Sequence, residues 1–324
     1  MTSRVTDAQA TCTAILDAVN TVIVGKRDAL ELVLSGLLCG GHVLLDDSPG
    51  LGKTLLARTF AQATGLSVGR VQFTPDLMPA DVTGSMLFDQ KQGTFEFRPG
   101  PIFQNLVIGD EINRAPPKTQ AAMLEAMQER QVSIDGETHP LPSPFLVLAT
   151  QNPIEFEGTY PLPEAQVDRF LLRTSLGYPT AFEDAEIIRR RLDRRRDDVS
   201  IAPVVGLDDV LELQATIEDI EVADPVIDYA VALVHATREA NDLIVGASPR
   251  GVDALVKLGR ARALLNGRDF VTPDDIKAIA VVALAHRVVL RPELWVRNVT
   301  SDSIVESILA QVPTPSTLPD SPDA

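Results

Sequence analysis

The chain has 324 residues, 45% of them hydrophobic, and its 45 acidic and 29 basic side chains give a net charge of −16. A chain this long and apolar can bury the core of one large domain or of two modest ones, which excludes disorder throughout. Because an acidic surface repels phosphate backbones, we expect no nucleic-acid partner, although a local basic groove remains open.

Nothing in the sequence indicates a membrane protein or a disulfide-bonded one. No segment reaches the roughly 18 uninterrupted apolar residues that a membrane span needs, and "MTSRVTDAQA" lacks the apolar core of a secretory signal. Cys12 and Cys39 lie in apolar surroundings without metal-ligand spacing, which is typical of reduced, buried thiols. We expect a soluble, cytoplasmic protein with no membrane span.

The first part of the chain shows the order helix, helix, strand, glycine-rich loop, helix. Apolar positions at helical spacing predict two helices within residues 5–38, with a loop at 20–27 between them. The run "HVLLD" (42–46) favours a buried parallel strand, and "KTLLARTFAQATG" (53–65) favours a helix that ends at its glycine. A strand, a glycine loop and a helix in this order are what a phosphate-binding loop requires.

Two more buried strands are predicted at "NLVIGDE" (105–111) and "FLVLATQN" (145–152), with a helix over 115–130 between them. Repeated alternation of strand and helix predicts an α/β fold, in which helices cover both faces of a parallel sheet. Residues 85–99 and 131–140 interrupt the alternation, and we predict that both form hairpins, the second turning at an Asp-Gly pair.

After about residue 178 the pattern becomes almost entirely helical. One helix is predicted to begin after Thr272 as its N-cap, with proline at its first position. The tail "PTPSTLPDSPDA" is polar and rich in proline, which predicts disorder. We therefore predict an α/β domain at 1–178 with the hairpins as inserts, a helical lid domain at 179–312 and a disordered tail at 313–324.

The loop "SPGLGKT" carries the chemistry of a phosphate site. Gly50 and Gly52 would let backbone amides curl around phosphate oxygens, Lys53 would place a positive charge at the β- and γ-phosphates, and the Thr54 hydroxyl is positioned for Mg²⁺. An ordinary Gly-Pro turn before a helix is the alternative. The residues predicted to contact the nucleotide here are Ser48, Pro49, Gly50, Leu51, Gly52, Lys53, Thr54 and Leu55.

One position departs from the usual pattern G-x-x-x-x-G-K-[ST], because Asp47 stands where the first glycine is expected. Aspartate tolerates turn conformations and can accept hydrogen bonds from its own nearby amides. We interpret Asp47 as a cap at the start of the loop, with its carboxylate turned away from the phosphates.

Polar side chains also end the second and third buried strands. Asp110 would hold Mg²⁺ through water, and Glu111 could orient and deprotonate the attacking water. A strand ending in Asp-Glu is common by itself, but the pair is far more specific when it follows a phosphate loop. The amide of Asn152 could hold the attacking water or a γ-phosphate oxygen, although Asn-Pro is also a plain turn signal.

Four segments together resemble one family: "QFTPDLMPADVTG", "DEINRAPPKTQAAMLEAMQE", "ATQNPIEFEGTYPLPEAQVDRF" and "SPRG". They are similar to the MoxR group of AAA+ ATPases, and the resemblance extends from about residue 8 to 310. It implies an α/β P-loop nucleotide domain followed by a helical lid, ATP and Mg²⁺ as ligands, and a homo-oligomeric ring, hexameric or similar.

The resemblance also implies roles for single residues. Asn152 would be the sensor-1 residue, and Arg169 the arginine finger that reaches the ATP of the neighbouring subunit. A surface arginine paired with Asp168 is the alternative for Arg169. Arg250 would be the sensor-2 residue of the lid, with a simple arginine at a helix start as the alternative.

By the same likeness, the loop "TVIVGKR" would line the adenine pocket, with Ile23, Val24 and Gly25 closest to the base; a plain loop between helices is the alternative. The two hairpins are similar to the helix-2 insert and the pre-sensor-1 hairpin of this clade, which face the ring pore or a partner protein. As an alternative, they are rigid decorations of the sheet.

We expect a Mg²⁺-dependent ATPase that couples hydrolysis to remodelling or maturing a client protein. The resemblance implies a chaperone that works with a von Willebrand factor A domain partner in assembling enzymes or inserting their metal cofactors. Three rival functions remain. They are an ATP-driven nucleic-acid motor, a nucleotide-gated scaffold with little turnover, and the related magnesium-chelatase motor subunit. Glu111 and Arg169 disfavour the scaffold, which needs neither.

Overall fold

The computed structural model describes residues 2–48, 50–91, 93–152, 159–295 and 297–315. Most of the predicted disordered tail, from 316 to 324, therefore lies outside the described residues, as does Pro49. The elements up to the last strand of the central sheet are α1 (Thr2–Asn20), α2 (Arg27–Leu38), β1 (Val43–Asp46), α3 (Lys53–Thr64), β2 (Val68–Gln72), α4 (Pro79–Thr83), β3 (Gly84–Asp89), β4 (Thr94–Pro99), β5 (Leu106–Asp110), α5 (Pro117–Glu129), β6 (Gln131–Ile134), β7 (Glu137–Pro140), β8 (Leu146–Gln151), α6 (Glu164–Val167) and β9 (Leu172–Thr174), with a 3₁₀ turn at Ile112–Arg114.

The elements that follow are α7 (Ala181–Arg194), α8 (Leu207–Glu218), α9 (Asp224–Glu239), β10 (Leu243–Val245), α10 (Pro249–Leu265), α11 (Pro273–Leu284), β11 (Val289–Leu290), α12 (Pro292–Trp295) and α13 (Ser301–Gln311), with a 3₁₀ turn at Ala285–Arg287 after α11. No helix in the described ranges combines the length and the apolar composition needed to cross a membrane.

A parallel five-stranded sheet in the order β2-β5-β8-β1-β9 forms the centre of the α/β part. Its side chains alternate between two hydrophobic clusters. Leu45 and Ile108 pack with α1, α2, α3 and the lid, whereas Leu44 and Val107 pack with α4 and α5 on the opposite face. The prediction of a parallel sheet with helices on both faces is therefore confirmed.

The three apolar runs that predict buried strands form β1, β5 and β8. The sequence pattern did not predict β2 and β9. Strand β2 lies at the edge of the sheet and alternates exposed and buried residues, so it lacks a continuous apolar run, and β9 has only three residues. Both predicted hairpins are present as β3–β4 and β6–β7, and the second turns at Asp135 and Gly136, whose φ angles are 51° and 85°.

The described part of the lid is helical as predicted, apart from a short antiparallel pairing of β10 with β11 and an isolated parallel bridge between Glu221 and Phe270, neither of which the helical pattern predicted. Thr272 caps α11: its hydroxyl accepts the N–H of Asp275, whose carboxylate accepts the N–H of Thr272 in return. Lid residues and one face of the sheet share a hydrophobic cluster. The boundary near residue 178 stays a prediction.

Candidate active site

The loop between β1 and α3 leaves open space beside two of its glycines. Gly50 and Gly52 have φ angles of 84° and 79°, and a Cβ added to either residue would meet no atom within 4 Å. These left-handed conformations favour glycine and let backbone N–H groups turn toward one side of the loop. Helix α3 begins directly after Gly52, so its positive end faces the same space. This cradle fits a phosphate group.

Lys53 is the first residue of α3, and only 9% of its surface is exposed. Its ammonium group donates a hydrogen bond to the backbone O of Asp47, 2.7 Å away. Burial lowers the pKa of Lys53, and the nearby carboxylates of Asp47, Asp110 and Glu111 act in the opposite direction. A buried cation thus lies at the loop, surrounded by acids that favour its charged form.

Asp47 occupies the position of the first glycine in the usual loop pattern, and its side chain contacts a distant part of the chain. Its carboxylate oxygens accept hydrogen bonds from the backbone N–H groups of Leu176 and Gly177, at 2.5 and 3.0 Å. The sequence suggested that the carboxylate accepts hydrogen bonds from its own nearby amides. The structure shows instead that it binds the segment that follows β9. The interpretation that it turns away from the phosphate cradle agrees with these contacts.

At the carboxyl end of β5, Asp110 lies beside α3. Its Oδ2 accepts a hydrogen bond from the Thr54 hydroxyl at 3.1 Å and forms an ion pair with Nε of Arg70 at 2.8 Å. Mg²⁺ prefers hydroxyl and carboxylate oxygens and usually takes its other ligands from phosphates and water. Among the described residues no group of three or more His, Cys, Asp or Glu side chains could hold a metal ion. Thr54 and Asp110 therefore fit Mg²⁺ that arrives with a nucleotide.

Glu111 follows Asp110 in a left-handed conformation, with φ at 58°. Its N–H donates to the Thr150 hydroxyl at 2.9 Å. Its Oε2 accepts hydrogen bonds from Gln72 at 3.2 Å and from Arg114 at 3.0 Å, whereas Oε1 has no partner within the part of the chain that the structure describes. A non-glycine residue held in this conformation often marks a functional position. The contacts fix the carboxylate and leave one oxygen available to a water.

Asn152 follows β8, where it is 4% exposed, and its backbone O accepts a hydrogen bond from the Asn113 amide at 3.3 Å. The predicted loop, acidic pair and asparagine line one cleft of about 410 Å³, a size within the range of ligand pockets. The lining residues are Gly50, Gly52, Lys53, Thr54, Leu55, Arg70, Gln72, Asp110, Glu111, Thr150 and Asn152.

Three lining residues were absent from the sequence prediction: Arg70, Gln72 and Thr150. Arg70 and Gln72 belong to β2, which pairs with β5 so that Gln72 lies opposite Asp110. The alternation in "VGRVQ" places both side chains on the same face of the strand, and this was the signal that could have revealed them. Thr150 lies at the end of β8, two positions before Asn152.

Two predicted arginines do not line this cleft. The Arg250 guanidinium, at the start of α10, contacts the Asp168 carboxylate at 3.5 Å and the Gln128 side chain at 3.3 Å. Arg169 is half-buried, and its guanidinium forms no hydrogen bond or ion pair with any described residue. Asp168 pairs with Arg287 and Arg250, so the alternative pairing of Arg169 with Asp168 is not formed.

The loop predicted to line the adenine pocket lies against the start of α7. Lys26 donates to the backbone O of Tyr178 at 3.0 Å and pairs with Glu183 at 3.7 Å. Gly25 has a φ of 71°, and a Cβ there would overlap the Glu183 carboxylate. Ile23 and Val24 are half-buried. Neither lines the cleft of the phosphate loop, and the adenine assignment stays a prediction.

Two family models match the chain: the one described as "ATPase family associated with various cellular activities (AAA)" covers residues 42–172, and the one described as "AAA lid domain" covers residues 235–308. The uncharacterized protein YeaC of Bacillus subtilis is 45% identical over 300 residues, or 93% of each chain. Chaperone MoxR1 of Mycobacterium tuberculosis is 42% identical over 92% of this chain and 80% of its own length. A crystal structure of a protein from Cytophaga hutchinsonii covers 97% of this chain and 98% of its own, with 40% identity and a TM-score of 0.91.

Proposed function

The chain belongs to the MoxR family of AAA+ ATPases, and on that premise we propose that it is a Mg²⁺-dependent ATPase that works as a homo-oligomeric ring, hexameric or similar, and uses hydrolysis to remodel or mature a client protein. One observation supports ATP hydrolysis most strongly. Two glycines with open space beside them, a buried lysine, a hydroxyl–carboxylate pair and a glutamate fixed by hydrogen bonds line a single cleft.

Binding of ATP uses the residues around the loop. The backbone amides at Gly50 and Gly52 would surround the phosphates, and Lys53 would exchange its contact with the Asp47 backbone for phosphate oxygens. Thr54 would hold Mg²⁺ directly and Asp110 through water; the bound ion neutralises charge on the phosphates.

Hydrolysis requires a water aligned with the γ-phosphate and a base that takes its proton. Gln72 and Arg114 both bind Oε2 of Glu111, which fixes the carboxylate and supports Oε1 as the oxygen that receives the proton. Asn152 in the same cleft supplies an amide for the γ-phosphate or for the attacking water.

The two arginines support a ring in different ways. Arg169 does not line the cleft of its own subunit and has no side-chain partner among the described residues, which supports its action on the ATP of a neighbouring subunit. Arg250 would leave Asp168 and Gln128 to reach the nucleotide of its own subunit. An isolated subunit should therefore hydrolyse ATP poorly.

The client role rests on family likeness alone. The relative MoxR1 is named a chaperone, which supports remodelling of a protein client. We extend this to a partner with a von Willebrand factor A domain and to the assembly of enzymes or the insertion of their metal cofactors.

The test is the release of phosphate from ATP by the purified chain, measured with and without Mg²⁺ over a range of protein concentrations, with oligomer size followed by light scattering. We expect Mg²⁺-dependent turnover whose rate per subunit rises with the oligomeric fraction, and none in Lys53→Ala. Equal rates in monomeric and oligomeric fractions would contradict action in trans. Oligomers that bind ATP without turnover would favour the scaffold instead, and strong stimulation by DNA would favour the nucleic-acid motor.

A further inference from the structure

A buried arginine of the lid, Arg287, binds the backbone on both sides of Arg169. It lies in the 3₁₀ turn after α11, and its side chain is 2% exposed. Its Nη1 donates to the backbone O of Asp168 at 2.6 Å and pairs with the Asp168 carboxylate at 2.5 Å. Its Nη2 donates to the backbone O of Phe170 at 2.7 Å and of Leu171 at 3.2 Å. One guanidinium thus holds the carbonyl before Arg169 and the two after it.

The other contacts of the Asp168 carboxylate also come from the lid. The Ser248 hydroxyl donates to it at 3.0 Å, and the Arg250 guanidinium lies 3.5 Å away. The next residue, Leu171, contacts the sheet side of the fold: its N–H donates to the backbone O of His42, directly before β1, at 2.8 Å. The segment 168–170 is therefore the point at which the lid fixes the chain just before it joins the sheet.

Arg169 combines a fixed backbone with a free side chain. Its own N–H donates to the backbone O of Gln166 at 3.2 Å, and its neighbours are held by Arg287. The residue is half-buried, and its guanidinium has no partner in the described ranges. The direction in which this side chain leaves the surface is consequently set by the backbone that Arg287 holds.

The contacts of Arg287 depend on its planar fork. A guanidinium is costly to remove from water unless its N–H groups find acceptors, and Nε completes the set by donating to the backbone O of Ala283 at 2.7 Å. The point charge of a lysine could reach one acceptor but could not bridge Asp168, Phe170 and Leu171 together. Loss of the guanidinium would remove the one group that bridges all these acceptors, while Ser248 and Arg250 would still contact the Asp168 carboxylate and His286 Nε2 the backbone O of Phe170.

We propose that Arg287 is a positioning residue for Arg169, through which the lid sets where the arginine offered to the neighbouring subunit points. This inference rests on the proposed action of Arg169 in trans. Arg287 does not line the nucleotide cleft of its own subunit, so its removal should weaken turnover in the neighbouring cleft and spare ATP binding in its own.

The test compares Arg287→Met with Arg169→Ala, alone and mixed with Lys53→Ala, a subunit that lacks ATP binding but keeps an intact segment 168–171. Arg268→Met is the matched control, since Arg268 makes a similar forked pair with Asp275 within the lid and does not touch that segment. We expect Arg287→Met alone to lower kcat by about 10-fold or more with KM for ATP changed less than about threefold. Mixing should raise the turnover severalfold, as for Arg169→Ala, and Arg268→Met should keep its kcat.

Unchanged kcat in Arg287→Met, or a loss that mixing does not repair while Arg169→Ala is repaired, would overturn the positioning role and leave the proposed function standing. Full turnover in Arg169→Ala would instead overturn the action in trans itself. If Arg287→Met does not fold, Arg287→Lys replaces it: we expect the same pattern with a smaller loss, and wild-type kcat in that variant would overturn the inference.

Discussion

The carboxylate of Asp47 accepts a hydrogen bond from the backbone N–H of Leu176 at 2.5 Å, across 129 positions of sequence. Its other oxygen accepts the N–H of Gly177 at 3.0 Å. The start of the phosphate loop is thereby joined to the segment that leaves the sheet for the lid. The acidic side chain in the loop supplies the acceptor for one buried and one partly buried backbone donor.

Replacing Asp47 by Ala should lower the free energy of unfolding by about 2–4 kcal/mol, since the buried N–H of Leu176 and the partly buried N–H of Gly177 lose their acceptor. The affinity for ATP should change less than about threefold, because the contact between Lys53 and residue 47 uses the backbone. Chemical denaturation and equilibrium ATP binding measure the two quantities.

Asp46→Ala is the matched control for this variant. Asp46 is the adjacent carboxylate, but its buried Oδ1 has no hydrogen-bond partner among the described residues, and burial raises its pKa. Its loss should cost clearly less stability than the loss of Asp47. Equal costs in the two variants would count against the role assigned to the Asp47 contacts.

Thr54→Val should lower the rate of ATP hydrolysis without a comparable loss in the stability of α3. The variant loses the hydroxyl that contacts Asp110 at 3.1 Å, so we expect turnover to fall about 10- to 100-fold and half-maximal activity to need more Mg²⁺. Phosphate release against Mg²⁺ concentration is the measurement. The control is Thr59→Val on the same helix, whose hydroxyl donates to the backbone O of Leu55. A similar loss in both variants would contradict a metal role for Thr54.

The buried His42 should make the fold sensitive to acid. The Val147 N–H donates to its Nδ1 at 3.0 Å, so Nε2 carries the proton and donates to the backbone O of Met127 at 3.0 Å. Burial lowers the pKa of His42 to about 4 from 6.5. Between these values the unfolded chain binds a proton that the folded chain does not. The free energy of unfolding should therefore fall by about 3 kcal/mol as pH drops from about 6.5 to about 4.

Denaturation at a series of pH values tests this, with His42→Gln beside wild type and the exposed His235→Gln as control. Burial lowers the pKa of His286 too, which adds a loss of the same sign, so His42→Gln should reduce the pH dependence without removing it. His235→Gln should retain the wild-type slope. A wild-type slope in His42→Gln would show that His42 is not the titrating group.

The parts of the fold that the sequence predicted are those with strong local patterns. Continuous apolar runs marked β1, β5 and β8, because a strand buried on both faces has no polar side. The edge strand β2 alternates, and β9 depends on its pairing with β1, so neither left such a pattern.

The same distinction applies to the site. Parallel strands place their carboxyl ends at one edge of the sheet, which is why the phosphate loop, Asp110, Glu111 and Asn152 could be expected to meet. Arg70 and Gln72 were missed together with their strand. Arg287 and Asp168 meet across 119 positions, and no local pattern encodes that contact.

Glu111→Gln tests whether this cleft is the site of hydrolysis, by comparing its turnover with its ATP binding. We expect ATP affinity to stay within about threefold of wild type, while multiple-turnover hydrolysis falls by about 100-fold or more, because the amide cannot take the proton of the attacking water. Glu125→Gln, on the exposed face of α5, should keep wild-type turnover. Hydrolysis by Glu111→Gln at the wild-type rate, with ATP bound, would contradict the assignment of this cleft as the site of hydrolysis.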